Sequence, residues 1–323
     1  MKKIKVAFIY HKNNIFLTGN HFDNTYYHFY MNALKRNQIL DITYIPTGDI
    51  FDAKVLKDNF DIILLWENSE FGMPDKLVGL DELSLPVITK VSDPFRASKS
   101  IKLHKKWKID HYFWMCHEDF FYELYPKEFK YKTIIFGLES SLYKNLKPFN
   151  ERIKDKILLT GAIGNSKFHS RIINDIRRPK WNAYRFYYLR TLCSRLPGIS
   201  YLPISSHNYV NDTYSKLLEQ YSASIAASSY SPNIKYLENS AAGCLTFMEI
   251  TKKNRGTYFG FTDDETAIFI NQENYKEKFD EFLSNPSKPK WEKIANAGRD
   301  YSIKHLNNDK ATDSLVELMS NYV

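Results

Sequence analysis

Short apolar segments of strand length recur along the chain and alternate with segments of helix length. A chain that alternates strand and helix in this way builds parallel βαβ units, with helices on both faces of the sheet. The pattern therefore predicts an α/β protein made of doubly wound sheets. The predicted strands cover residues 3–10, 40–46, 60–68, 85–93, 110–116 and 131–137, and then 155–161, 198–204, 223–228 and 244–250.

The strand–helix rhythm breaks once, at residues 138–153, where charged residues and a proline replace the apolar segments. A chain of 323 residues is long enough for two domains. We predict one Rossmann-like domain over 1–148 and a second over 149–323, with a last helix at Thr312–Tyr322 packing back on the first domain. Open α/β sheets bind ligands beyond the carboxyl ends of their strands, so we expect the site in a central cleft that the two domains face.

Composition places the protein among soluble globular chains. Hydrophobic residues make up 43% and charged residues 25%. The apolar runs are much shorter than the roughly 20 residues that span a bilayer. The basic N-terminus precedes an apolar run of only about five residues without a cleavage site, which favours a first strand and a cytoplasmic location. The cysteines, Cys116, Cys193 and Cys244, are scattered and odd in number, which argues against a disulfide framework.

The net charge is +8 and the isoelectric point about 9.0. Solvated surface lysines account for this charge. Binding of an anionic ligand, an anionic membrane surface or nucleic acid accounts for it as well. Charge alone does not choose among them. Peripheral membrane contact stays open, although the sequence shows no clear basic amphipathic helix.

The segment "SPNIKYLENSAAGCLTFME", residues 231–249, has the order of residues that a helix start requires. Ser231 suits the N-cap and Pro232 the first helical position, while Gly243 suits the end of the helix. The helix would follow the strand at 223–228. A helix that begins at the carboxyl end of a parallel strand presents free backbone N–H groups and the positive end of its dipole, which predicts an anion site.

Lys235 and Glu238 would add charge to this helix start. They are three residues apart and so share a helix face, where the lysine meets an anion and the carboxylate accepts hydrogen bonds from ribose hydroxyls. On spacing alone, a surface Lys–Glu pair worth a few tenths of a kcal/mol explains the pattern as well.

The segment "NIKYLENSAAGCLTFME" resembles the donor-binding segment of GT-B glycosyltransferases of the "glycosyl transferases group 1" superfamily, which is family 4-like, and in particular its short spore-maturation-type branch. "ILLTGAIGNSKFHSR" is similar to the first strand and phosphate loop of their C-terminal domain, and the similarity extends over most of the C-terminal half. The N-terminal half matches in layout. The resemblance implies a GT-B fold of two Rossmann-like domains and transfer of a sugar from a nucleotide donor, with retention of configuration.

The resemblance also implies roles for individual residues. Glu238 would hold the ribose of the donor, and basic residues would neutralise its diphosphate. The nucleotide-binding candidates are Gly161, Gly164, Lys167, Arg171, Ser231, Lys235 and Glu238, and Lys235 is also a catalytic candidate. A solvated basic helix face explains Lys167 and Arg171 equally well.

Two positions depart from the family pattern. Relatives carry Glu-x7-Glu, but the residue eight before Glu238 is Tyr230, and a His-Asp pair is replaced here by Ser92-Asp93. Asp93 remains a catalytic candidate that would face the sugar or act on the acceptor, although a turn aspartate before Pro94 fits as well.

Acceptor binding would fall to the N-terminal domain, near Gly19, Asn20 and His21, where a plain turn is the alternative. The acceptor stays open among glycan, lipid, protein and modified nucleic acid. The oligomeric state is also open.

No Asp-x-Asp motif occurs, and no Cys-x2-Cys or His-x3-His spacing suggests a metal. The protein itself must then neutralise the leaving diphosphate, which predicts metal-independent transfer with no cofactor beyond the nucleotide-sugar donor. Walker and dinucleotide glycine loops are missing.

Two alternatives to a glycosyltransferase remain: a sugar-nucleotide epimerase or hydrolase on the same fold, and a non-catalytic binding module for nucleic acid or another anionic partner.

Overall fold

The computed structural model describes residues 3–13, 29–69, 72–164, 168–177, 182–203 and 211–323. The chain divides into two compact units. Unit 1 comprises Met1–Gly137 together with Asn308–Val323, and unit 2 comprises Leu138–Asn307. The first division falls at the start of the predicted linker, before the predicted boundary at residue 148.

Unit 1 is built on a parallel six-stranded sheet in the order β2-β1-β4-β6-β7-β8, with a separate two-stranded sheet of β3 and β5. All four residues of β4 and of β6 are buried, as expected for parallel strands covered on both faces. The strands are β1 Ile4–His11, β2 Leu40–Thr47, β3 Ile50–Asp52, β4 Ile62–Leu65, β5 Lys76–Val78, β6 Val87–Lys90, β7 His111–Trp114 and β8 Tyr131–Thr133.

Unit 2 is built on a parallel five-stranded sheet in the order β10-β9-β11-β12-β13. Its core packs Phe247 of the sheet against Phe279 and Phe282, with ring centroids 5.0 and 6.0 Å away. Both units are Rossmann-like, which confirms the predicted fold class. The strands are β9 Ile153–Thr160, β10 Ile199–Leu202, β11 Tyr221–Ala226, β12 Leu245–Glu249 and β13 Ile268–Ile270.

Helices connect the strands of both sheets. A helical turn at Phe29–Ala33 runs into the first of them, α1. The helices are α1 Leu34–Arg36, α2 Ala97–Lys106, α3 Glu118–Leu124, α4 Phe168–Arg177, α5 Ala183–Phe186, α6 Tyr188–Cys193, α7 Tyr214–Leu218, α8 Lys235–Ala241, α9 Tyr275–Ser284, α10 Pro289–His305 and α11 Asn308–Ser320.

The last helix, α11, lies within unit 1. The guanidinium of Arg36 pairs with Asp309 at 2.8 Å, and the ammonium of Lys132 pairs with Glu317 at 2.6 Å. The helix begins at Asn308, earlier than the predicted Thr312. Residues Asn308–Val323 thus belong to the same unit as Met1–Gly137.

Three short strands, β3, β5 and β13, were not predicted, because three residues are too few to show a periodic pattern. Helix α7 is short and ends at Leu218, since the chain enters β11 at Tyr221 and all six residues of that strand are buried. Within the described parts of the chain, no helix has the length and apolar character needed to cross a bilayer.

Candidate functional site

Strand β9 ends at a glycine with a left-handed backbone. Gly161 has φ +93°, and a Cβ there would lie 2.9 Å from Lys235 Cε and 3.3 Å from Arg190 Nη1. Glycine tolerates both the positive φ and the close approach. The predicted loop glycine and the predicted helix lysine therefore meet at the carboxyl edge of the sheet, together with an arginine that the sequence analysis did not single out.

Lys235 turns its ammonium toward the end of β9. Its Nζ donates hydrogen bonds to Thr160 Oγ1 at 2.8 Å and to Tyr214 OH at 3.0 Å, and it lies 4.5 Å from the centroid of the Tyr214 ring. Burial lowers the pKa of Lys235 to about 8; Arg190 lowers it further, while Glu238 acts to raise it. Among the described residues, no carboxylate forms an ion pair with this ammonium. The site therefore holds a cation whose charge is not directly compensated.

Arg190, on α6, is buried beside Lys235. Its Nε and Nη2 donate to the carbonyl of Ala227 at 3.0 and 2.6 Å, and its Nη1 donates to the carbonyl of Ala162 at 3.1 Å. Arg190 thus fixes the segments that leave β9 and β11 and adds a second positive charge near Gly161. The only sequence signal was an arginine inside the apolar run of α6, because a buried arginine needs partners.

Glu238 lies one turn beyond Lys235 on α8 and is only 5% exposed. Its negative charge acts with burial to raise the pKa values of Tyr143 and Tyr214. The carboxylate is therefore enclosed on the side of these two tyrosines. A ribose can reach it only if ligand binding opens a path.

Helix α8 begins at Lys235, three residues later than predicted, so Ser231 is not its N-cap. Asn233 Oδ1 accepts a hydrogen bond from the backbone N–H of Lys235 at 3.1 Å, and this local turn replaces the predicted first helical turn. Ser231 is buried, and its hydroxyl contacts the carbonyl of Pro232 at 3.3 Å.

The late start of α8 corrects the predicted anion site. The backbone N–H groups of residues 235 to 238 all donate to Asn233 or Ile234. These four groups are not free for an anion. Positive charge at the site therefore comes from the side chains of Lys235 and Arg190.

Gly164 and Arg171 meet around a different residue, Tyr184. The N–H of Gly164 donates to Thr191 Oγ1 at 2.8 Å, and a Cβ on this glycine would lie 2.5 Å from Tyr184 Cα. The guanidinium of Arg171 lies 4.2 Å from the centroid of the Tyr184 ring, on an exposed part of α4. Lys167 lies outside the described residues.

A buried carboxylic acid ends β12. Burial raises the pKa of Glu249 to about 7, although a hydrogen bond from Ser229 and the charges of Arg190 and Lys253 act to lower it. Its carbonyl accepts a hydrogen bond from Tyr236 OH at 2.9 Å. The charges of Glu249 and Arg190 therefore act on each other at this edge of the sheet.

The corresponding edge of the unit 1 sheet carries a buried ion pair that the sequence analysis missed. Lys90, at the end of β6, pairs with Glu67 just past β4, at 2.8 Å. Ser92 donates its hydroxyl toward Glu67 Oε2 at 2.8 Å, and its N–H donates to Asn68 Oδ1 at 2.6 Å. Neighbouring strands that each end in a charged residue, "LLWEN" and "ITKVSD", were the available signal.

Asp93 follows this network and is exposed. Its carbonyl accepts a hydrogen bond from the N–H of Arg96 at 2.8 Å, and its side chain forms no cap bond to the helical turn that Pro94 begins. The backbone at Asp93 thus forms a turn, as the alternative of a turn aspartate before Pro94 predicts, while the carboxylate stays accessible. The acceptor candidates Gly19, Asn20 and His21 lie outside the described residues.

Within the described ranges, no three or more His, Cys, Asp or Glu side chains gather as metal ligands would. Residues 116–119, Cys-His-Glu-Asp, are four consecutive residues of metal-ligating type, and they lie at the start of helix α3. His117 caps α3 by accepting a hydrogen bond from the N–H of Asp119, and Cys116 is buried.

Comparison of the whole fold with solved structures finds extensive likeness. A glycosyltransferase from Rickettsia africae has 13% sequence identity and a TM-score of 0.56, over 100% of this chain and 99% of that one. HepE from Anabaena, in complex with UDP and glucose, has 10% identity and a TM-score of 0.56, over 98% and 100%. An α-glucosyltransferase in complex with UDP-glucose and DNA containing an abasic site has 11% identity and a TM-score of 0.57, over 98% and 99%.

No family model matches the sequence, and no curated protein matches it. At 10 to 13% identity, the likeness to solved structures concerns the fold alone. The chain has the α/β fold of GT-B glycosyltransferases, with Rossmann-like units, as predicted.

Proposed function

We propose that this chain is a glycosyltransferase that moves a sugar from a nucleoside diphosphate donor to an acceptor, as a member of the spore-maturation-type branch. The observation that carries the proposal is the ammonium of Lys235. It is held at the carboxyl end of β9 by two neutral hydroxyls, beside Gly161 and Arg190. A buried cation without a carboxylate partner is costly unless an anion completes it, and a donor diphosphate is such an anion.

The proposed reaction breaks the bond between the anomeric carbon of the donor sugar and the diphosphate. An acceptor oxygen forms the new bond, and the acceptor proton leaves with the departing phosphate or with a carboxylate. Lys235 supplies positive charge where negative charge grows on the leaving group. Arg190 adds to the positive potential and holds the carbonyls of Ala162 and Ala227 by hydrogen bonds. We propose a metal-independent, retaining transfer of a hexose.

The remaining donor assignments follow the same geometry. We propose that Gly161 and Gly164 let the phosphates approach the backbone, that Glu238 accepts the ribose hydroxyls, and that Arg171 and Lys167 contribute charge at the loop. Ser231 is assigned to the wall behind the donor rather than to a helix cap. We propose a uridine nucleotide, because UDP or UDP-glucose is named in the complexes of two fold neighbours.

Acceptor binding is proposed for unit 1, with Asp93 as the accessible carboxylate that faces the sugar or takes the acceptor proton. Gly19, Asn20 and His21 are kept as acceptor contacts. The acceptor class, among glycan, lipid, protein and modified nucleic acid, is left to experiment; the complex of one fold neighbour contains DNA.

The test is a calorimetric and thermal-shift panel of UDP, GDP, ADP, TDP, CMP and their sugars, in EDTA and in magnesium. We expect one diphosphate to bind equally well in both buffers. Lys235→Met and Glu238→Ala should each weaken binding at least about tenfold, because each loses a charged contact. Lys156→Met, which removes an exposed lysine from the same strand β9, should bind as wild type does.

Each other outcome rejects a stated part of the proposal. Binding that Lys235→Met leaves unchanged would reject the site, and binding only with magnesium would reject the metal-free mechanism. No binding of any nucleotide would favour the non-catalytic module. Release of UDP from a UDP-sugar at the same rate with and without acceptors would indicate a hydrolase.

A further inference from the structure

Helix α4 turns large apolar side chains to the outside. The exposed fractions are 67% for Phe168, 42% for Ile172, 47% for Ile173 and 75% for Ile176. The other exposed large apolar residues among those described, such as Ile50 and Val55 of unit 1 and Ile153 of unit 2, lie on other elements of the chain. Four such side chains on a helix of ten residues form a continuous patch, and patches of this kind mark interaction sites.

The spacing places the four side chains on one face. At about 100° per residue, positions 168, 172, 173 and 176 fall within an arc of about 140°. An ordinary amphipathic helix turns such an arc to the core of its domain. Here the same arc is open, and we call it the apolar face of α4.

Basic residues accompany the apolar face. Between residues 167 and 180 the sequence contains five basic residues and one acidic residue. The acidic residue, Asp175, is already paired with Arg185 at 3.1 Å. Arg171, on the same helix, is exposed. The segment therefore combines an open aliphatic face with a local excess of positive charge.

We propose that the apolar face of α4 lies on the surface of a bilayer that contains anionic lipid. Such a surface offers acyl chains to the isoleucines and the phenylalanine, and its phosphate charge suits the excess of basic residues in the sequence of this segment. A symmetric contact with a second copy of the chain would bring two cationic segments together, which the charge disfavours. Nucleic acid would match the charge but not three exposed isoleucines.

This proposal does not rest on the proposed function. The apolar face is formed by Phe168, Ile172, Ile173 and Ile176, and the contacts that hold Lys235 are made by Thr160 and Tyr214. Membrane binding and nucleotide binding are therefore measured separately, and either can fail alone.

The experiment is co-sedimentation of the full chain with vesicles of phosphatidylcholine alone and with vesicles that also contain phosphatidylglycerol. We expect binding to the anionic vesicles only, decreasing with added salt. Ile172→Glu combined with Ile176→Glu should weaken binding at least about tenfold, because carboxylates replace the inserted side chains. Arg177→Gln combined with Arg178→Gln should weaken it less. An unchanged melting curve and an unchanged far-UV circular dichroism spectrum would show that the variants fold.

The matched control is Ile50→Glu combined with Val55→Glu, which changes two side chains exposed by 67% and 66% on unit 1. This control should bind vesicles as wild type does. Absence of wild-type binding, equal binding of the Ile172/Ile176 variant, or equal binding to both vesicle types would overturn the proposal. A dimer in light scattering that only the Ile172/Ile176 variant disrupts, without vesicle binding, would identify the face as a self-association surface instead.

Discussion

Lys90 of unit 1 and Lys235 of unit 2 are both enclosed beside the carboxyl end of a parallel strand, yet their ammonium groups have different partners. Lys90 pairs with the carboxylate of Glu67 at 2.8 Å and also donates to the carbonyl of Val91 at 3.2 Å. Lys235 has only the hydroxyls of Thr160 and Tyr214 among its described hydrogen-bond acceptors for Nζ. The Lys90 charge has a carboxylate at ion-pair distance, whereas among the described residues the Lys235 charge has none, and Glu238 acts on it only as a nearby charge.

The ammonium of Lys90 therefore stabilises the fold, whereas the ammonium of Lys235 is available to bind a ligand. A buried pair is stable because each ion compensates the desolvation of the other. A lysine held by hydroxyls keeps part of its desolvation cost, and the lowered pKa of Lys235, about 8, reports that cost. An arriving anion would remove it.

The largest effect is expected at the balanced pair. Lys90→Met should destabilise the protein by about 3–5 kcal/mol, because Glu67 is left as a buried, unpaired charge. Urea unfolding measures the change. The double variant Lys90→Met, Glu67→Gln should recover most of the loss, since no charge is left unpaired. A single variant within about 1 kcal/mol of wild type would show that this pair contributes no more than a surface pair does.

A smaller effect is expected where the backbone meets Lys235. Gly161→Ala should cost about 1–3 kcal/mol, because φ +93° is strained for alanine and its Cβ would meet Lys235 Cε. The control is Gly48→Ala, where a Cβ meets nothing within 4 Å. Melting curves compare the two variants. Equal stabilities would mean that the end of β9 does not need its glycine.

The smallest effect, of opposite sign, is expected at Lys235. Lys235→Met should leave stability at pH 7 unchanged or raise it by up to about 2 kcal/mol, because the desolvation cost disappears. Thr160 and Tyr214 still bond to each other at 2.6 Å. Chemical unfolding at several pH values measures the difference from wild type.

The pH dependence fixes the sign of this prediction. The folded pKa of Lys235, about 8, lies below its ordinary value, so between pH 8 and about 10 the unfolded chain binds more protons than the native one. Wild-type stability attributable to this group therefore rises over that interval and is lost as the pH falls through 8. The advantage of Lys235→Met should be constant below pH 8 and shrink above it. An advantage independent of pH would contradict the role of the charge.

Sequence periodicity was sufficient for the fold, since a buried parallel strand such as β4 reads as a continuous apolar run. The helix-start pattern selected Lys235 and the resemblance selected Gly161, and the structure brings these two residues together over an interval of 74 positions in the sequence. Local rules failed at the start of α8. Ser231 and Pro232 fit a helix start in isolation, but the side chain of Asn233 takes the N–H of Lys235 and moves the start.

Arg190 and the Lys90–Glu67 pair could not be predicted for a different reason. Their partners are backbone carbonyls of other strands or a residue 23 positions away, and no short motif records such contacts. The apolar face of α4 was missed because its isoleucine spacing is that of an ordinary core helix; exposure becomes visible only in three dimensions.

Unit 1 is interrupted by all of unit 2, because helix α11 joins it only after residue 307. During synthesis, the strands of unit 1 are made before unit 2 but lack that helix until residues 308–320 have been added. A nascent chain of 307 residues contains the whole of unit 2 and an incomplete unit 1. Domains usually complete in their order of synthesis. Here the order reverses, because unit 2 has all its residues before unit 1 does. Unit 1 is therefore the unit more exposed to chaperones during translation.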